Sequence, residues 1–405
     1  MDCGLKKNFN LFDYDFLEVP LPSAYVGDYS VSVRDGMDVE KTTISNPEII
    51  KAVIVSENLQ VLNPVFRYDR NSVFSGENKL TGFVNAYGLE LLYDVEFGYD
   101  GCSFEIIYHN PRELQLWVDE GDGWRVVFER YQVGHNEDKA VALKISFDKN
   151  NGYMMRRIKL RTTGWFGGII RDKTCSIVKS VHKKAPLAVF EGSSITESCN
   201  GVSDFNAYSY ARILSDIYGF DYLCLAQGGT GISVPTETRP SMCQRIDGVL
   251  NAKPDVLFIE AGINDKPNEE LKECTEAYLK EIRQKLPRTF VVMLGTYHPK
   301  YMPEFPLKRC EKDIIMSGIC SQYGVPFVEF TTGYIYGIDG RVIENMGAPL
   351  VTGTGTTIEP NESGTSDRYT GRTTVKDYCH CNPTAYKMMT EYIRSAFNAI
   401  LNSMK

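Results

Sequence analysis

No stretch of this chain supplies the ~18 consecutive apolar residues that a membrane helix requires, and no run of basic residues occurs. With 44 Lys and Arg against 52 Asp and Glu, the net charge is −8. That balance argues against nucleic acid and against an anionic membrane surface as partners. Cysteines at C-x-x-C spacing are missing, so the chain offers neither a zinc ribbon nor a thiol–disulfide exchange motif. The eleven cysteines are scattered and odd in number, which suits reduced thiols better than a disulfide framework. Cys379 and Cys381 flank His380, but alternate positions on a short segment mean packing. No metal and no cofactor is expected. The sequence also lacks G-x-S-x-G, a P-loop, H-E-x-x-H and a G-x-G-x-x-G after a strand. Those absences remove the α/β-hydrolase elbow, phosphate cradles, zinc proteolysis and dinucleotide binding. Met1-Asp2-Cys3-Gly4-Leu5-Lys6-Lys7 has no apolar core and is not a secretory signal. As it stands the chain is expected in the cytoplasm, or outside the cell if a signal preceded it.

What is present is an ordinary globular composition, 43% hydrophobic and 24% charged. A length of 405 residues predicts two domains. The first, over 1–182, shows short alternating or aromatic runs and no long helical period. Leu89–Tyr93, Ser103–Tyr108, Leu114–Val118, Trp124–Phe128 and Ala142–Phe147 read as strands, separated by turn clusters at 119–123 and 148–152. That texture predicts an all-β sandwich or jelly roll. All three tryptophans, Trp117, Trp124 and Trp165, lie in it, as core packing or as a sugar-stacking platform.

From 183 onward strands and helices alternate. Buried-strand runs stand at Leu187–Phe190, Asp221–Leu225, Asp255–Glu260, Phe290–Gly295 and Pro326–Phe330. Helical patterns cover Asn206–Tyr218, Met242–Leu250, Asn268–Leu286, Leu307–Tyr323 and Pro383–Leu401. Five strands alternating with helices predict a parallel sheet with helices on both faces. The stretch from Gly347 to Lys376, rich in Gly, Thr and Ser, has no period and reads as a flap near a site.

The strand ends hold chemistry. After the first comes Gly192-Ser193-Ser194, and after the second the glycine-rich Ala226-Gln227-Gly228-Gly229-Thr230-Gly231. The third ends in Gly262-Ile263-Asn264-Asp265, and Asp377-Tyr378-Cys379-His380 precedes the last helix. A serine hydroxyl is a poor nucleophile until an imidazole takes its proton. The imidazole needs an acceptor to hold its tautomer, and an oxyanion needs donors already in place. Ligands in open α/β sheets bind at the carboxyl ends of the strands.

In their order, these four segments resemble the SGNH (GDSL) family of serine esterases over about Leu187 to Lys405. The resemblance implies a flavodoxin-like fold with central strand order 2-1-3. It implies Ser194 as nucleophile, Asp377 and His380 as its D-x-x-H partners, and an oxyanion hole of the Ser194 N–H, Gly228 and Asn264. Two positions depart from the family pattern. Ser193 stands where G-D-S has aspartate, which removes a supporting carboxylate. Ala226 stands where an asparagine is frequent, so Gly229 is an alternative to Gly228. His298, after the fourth strand, reads as a substrate contact or surface residue. A β-sandwich ahead of such a domain resembles the two-domain carbohydrate esterases. The expected substrate is an acetylated poly- or oligosaccharide. A lipid or thioester acyl group and a glycan-binding protein without activity remain as alternatives.

Overall fold

The computed structural model describes residues 16–36, 38–56, 59–62, 65, 67–68, 84–85, 88–90, 94–109, 113–132, 140–147, 153–162, 165–180, 185–197, 209–297, 310–347 and 383–405. Two compact units result. One holds Phe16–Val19 with the described residues from Ala185 onward, the other the described residues from Pro20 to Ser180.

The Pro20–Ser180 unit is all β, with two seven-stranded sheets. In one, Ser23–Ala24, Trp124–Gln132, Glu113–Asp119, Arg156–Thr162, Val95–Tyr99 and Ile177–Val178 follow in order, and Arg67–Tyr68 also pairs with Val95–Tyr99. In the other the order is Tyr29–Asp35, Ala140–Phe147, Ser103–His109, Trp165–Asp172, Gly88–Glu90 and Val84–Asn85, with Pro47–Lys51 also on Trp165–Asp172. Alternate residues of both sheets, among them Phe97, Leu116, Ile158, Phe104, Leu143 and Ile169, fill one core. Phe97 and Phe104 meet edge to face across it at 5.7 Å. Facing sheets with period-2 burial follow from the alternation in the sequence.

Trp117 and Trp124 do not lie in that core cluster. Lys159 and Arg161 sit over the Trp117 ring at 4.4 and 4.3 Å. Arg157 and Lys159 sit over Trp124 at 4.6 and 4.8 Å. The indoles therefore carry a row of cations from one strand, an attraction that grows as water is excluded. The side chain of Trp165 lies outside the described residues.

The other unit is built on a seven-stranded sheet. Its strands are β1 (Leu187–Glu191), β2 (Asp221–Cys224), β3 (Val256–Glu260), β4 (Phe290–Leu294), β5 (Phe327–Val328), β6 (Tyr334–Tyr336) and β7 (Val342–Asn345). The helices are α1 (Ser194–Glu197), α2 (Tyr210–Tyr218), α3 (Asp247–Ala252), α4 (Glu269–Lys285), α5 (Glu311–Gln322) and α6 (Pro383–Ser403). The spatial order is β2-β1-β3-β4-β5-β6-β7. β1 to β5 are parallel, and the expected central order 2-1-3 is present. β6 and β7 add an antiparallel edge that the sequence reading did not contain. Asp339-Gly340, with Gly340 at φ +76°, turns the chain between them; an Asp-Gly pair suits such a turn.

Both faces of the parallel strands are buried. Phe190, Phe258 and Phe290 pack with α2 and α6, whereas Val189, Ile259 and Met293 pack with α4 and α5. Phe190 stacks on Phe258 at 5.0 Å. The ends of α2 and the start of α4 have local causes. The Ser209 hydroxyl accepts from the Arg212 N–H at the start of α2, and Gly219 ends it at φ +63°. Asn268 caps α4 in the same way through the Leu271 N–H.

Candidate active site

β1 ends at Glu191, and the chain turns at once through Gly192 and Ser193 into α1. The turn is tight. A Cβ on Gly192 would stand 2.4 Å from Thr196 Oγ1 and 2.9 Å from Glu260 Oε2, so only glycine fits. Ser193 is buried and caps α1, its Oγ accepting from the Ile195 N–H at 3.2 Å. The same Oγ donates to Glu260 Oε2 at 2.7 Å, and the Ser193 N–H donates to that oxygen at 3.0 Å. Thr196 Oγ1 adds a third bond to it at 3.1 Å. A carboxylate thus supports the turn at Ser194 after all, but it comes from the end of β3. Burial raises the Glu260 pKa, and the hydrogen bonds from Ser193 and Thr196 oppose that rise.

A second buried carboxylate ties this turn to the glycine-rich one. Arg245 donates to Glu191 Oε1 from Nε at 3.0 Å and Nη2 at 2.5 Å. It also reaches the Gly192 carbonyl at 3.0 Å and Thr230 Oγ1 at 2.9 Å. The sequence put Arg245 inside a helix from Met242. It lies instead in the turns before α3, where its guanidinium enters the interior. A planar fork with five donors can join two loops in this way; a lysine cannot.

Gly228 follows β2 beside the serine. A Cβ there would lie 3.3 Å from Ser194 Cβ. Its N–H donates to Glu197 Oε2 at 2.6 Å, and Arg239 Nη1 bridges the same oxygen and the Gly228 carbonyl at 3.2 and 3.0 Å. The Gly229 N–H has no hydrogen bond among the described residues. Asn264 donates one amide proton to the Thr230 carbonyl at 2.9 Å, which leaves the other for a ligand. Asp265 holds that loop, accepting from the N–H groups of Ile232, Ser233 and Gly262 at 3.0–3.1 Å.

The structure therefore gathers Ser194, Gly228 and Asn264 at the carboxyl edge around β1, where the strand order reverses. Asp377, His380, His298 and 348–376 lie outside the described residues. The last helix still reaches this edge: the Tyr386 hydroxyl, six residues beyond His380, donates to the Ile195 carbonyl at 2.9 Å. Among the described residues no group of three or more His, Cys, Asp or Glu could hold a metal.

Further along the same edge, Asp313 accepts from the Thr296 N–H and hydroxyl at 2.8 and 2.7 Å. Burial, with the Glu329 carboxylate adding to it, pushes its carboxyl from 3.8 up to about 7. The folded chain then keeps a proton that the unfolded chain releases, so stability is full below about pH 4 and falls as pH rises towards 7. The loss approaches roughly 1.4 kcal/mol per pH unit at most. Asp313→Asn should remove this slope. Urea midpoints at pH 5 and pH 8 should shift in the variant's favour at the higher pH; a constant difference between the proteins would refute the assignment.

Residues 190–366 match the model of the GDSL-like Lipase/Acylhydrolase family. No curated protein matches the chain. Among solved structures, a GDSL-like lipase from Bacteroides ovatus ATCC 8483 aligns with TM-score 0.53 and 14% identity, covering 83% of this chain and 98% of that one. The salicylyl-acyltransferase SsfX3 of a tetracycline biosynthetic pathway aligns with TM-score 0.52 and 12% identity, covering 85% and 97%. At such identities these likenesses speak for the fold. The turn at Ser194, the glycine-rich turn at Gly228 and the Asn264 turn meet at one sheet edge within the matched segment, and on these grounds the second half of the chain resembles the GDSL-like lipase/acylhydrolase family.

Proposed function

We propose that the protein is a serine esterase that removes short acyl groups, chiefly acetyl, from the hydroxyls of a carbohydrate. Ser194 attacks the ester carbonyl while His380 takes its proton, and Asp377 holds the imidazole. The N–H groups of Ser194 and Gly228 and the Asn264 amide stabilise the oxyanion. His380 then returns the proton to the departing sugar oxygen, and water hydrolyses the acyl-enzyme by the same route. The observation that carries this reading is the meeting of Ser194 and Gly228 at the edge reached by Tyr386, just beyond Asp377 and His380.

The substrate follows from what borders the serine. A long acyl chain must bury its methylenes, each worth about 0.8 kcal/mol, and so needs a sustained apolar wall. Among the described residues, the partly exposed side chains at this edge include Glu197, Arg239 and Asn264. They suit a polar alcohol. Rates on nitrophenyl esters should drop steeply from acetate to octanoate, and acetylated polysaccharides should release acetate. A preference for octanoate would promote a lipid substrate, and no turnover of any ester would favour a glycan-binding protein without activity.

A further inference from the structure

Glu197 is the last residue of α1, three positions after Ser194, and so lies on nearly the same side of that turn. One of its oxygens takes the Gly228 N–H at 2.6 Å, the donor that an acyl oxygen needs. The other, Oε1, has no hydrogen bond among the described residues. The side chain is 22% exposed and that of Arg239 is 36% exposed, so the pair stands at the solvent side of the serine.

We propose that Glu197 is the residue that selects a polyol ester over a simple one; this rests on the esterase reading above. At rest the carboxylate fills the Gly228 N–H. An incoming acyl oxygen displaces it, and the freed carboxylate loses a hydrogen bond that must be replaced. A sugar hydroxyl next to the ester supplies that bond, while Arg239 keeps the carboxylate beside the site. An ester of a simple phenol has no such hydroxyl, and it meets the carboxylate only as a competitor for the N–H. Both effects arise because a partly buried charge that loses one of its donors is destabilised until another replaces it.

The test compares kcat/KM of wild type and Glu197→Ala on 4-nitrophenyl acetate and on a methyl glycoside bearing one acetyl group beside a free hydroxyl. The variant should gain severalfold on the nitrophenyl ester and lose about tenfold on the glycoside. Glu197→Gln, which keeps the size and an acceptor oxygen but not the charge, should move both in the same directions by less. Thermal melts establish that both variants fold. A parallel fall on both esters would overturn the proposal and make Glu197 a brace for the Gly228 turn. A parallel rise would also overturn it, leaving a plug without recognition. If wild type hydrolyses neither ester, the esterase reading fails first; if it hydrolyses both and the ratio stays fixed, only the role of Glu197 fails.

Discussion

Replacing Ser194 by alanine should lower kcat by on the order of 10⁶, and replacing His380 should cost about as much. In the proposed mechanism the two act as one unit: the hydroxyl attacks only while the imidazole takes its proton, so removing either leaves the oxyanion donors and binding alone. The fold should tolerate the change. α1 is held by its neighbours, with Ser193 and Thr196 donating to Glu260 and Ile195 accepting from Tyr386. Steady-state rates on nitrophenyl acetate, with a melting curve for each protein, decide the matter. A Ser194→Ala protein that keeps more than a few per cent of wild-type activity would end the assignment.

The strand ends could be read from sequence because each depends on local rules. A buried run, a glycine turn and a capped helix are set by neighbours a few residues away. Leu187–Phe190, Asp221–Leu225 and Asp255–Glu260 accordingly appear within a residue or so of their places. What sequence did not offer was partnership across the fold. Ser193 looked like the loss of a supporting carboxylate, yet it donates to Glu260, 67 residues away. Arg245 joins Glu191 from 54 residues away. Neither pair has a spacing rule. The register of β1 against β3, which pairs Glu191 with Ile259, brings the ends of both strands under the turn at Ser194. Glu260 could have been suspected, as a charge closing the apolar run Val256-Leu257-Phe258-Ile259 has to find donors. The β6–β7 edge was missed because its strands are only three and four residues long.

Asp377→Asn should cost less than Ser194→Ala, because in the proposed mechanism the aspartate orients and stabilises the imidazole without carrying the proton in transit. An amide in its place can offer an N–H where the histidine needs an acceptor and so favours the wrong tautomer; in a Ser-His-Asp system that change costs ~10⁴. Asp377 stands three residues before His380, and α6 begins three residues after it at Pro383. The link between α6 and α1 runs through Tyr386 and Ile195, which the substitution does not touch. In the proposed mechanism the variant should therefore lose mainly the orientation of the imidazole. A backbone carbonyl able to take over the Asp377 bond would reduce the loss further, whereas no substitute exists for the Ser194 hydroxyl. The measurement is kcat for both variants on one acetate ester, with folding checked by circular dichroism. A folded Asp377→Asn protein that loses as much as Ser194→Ala would show that Asp377 takes a direct part in the chemistry.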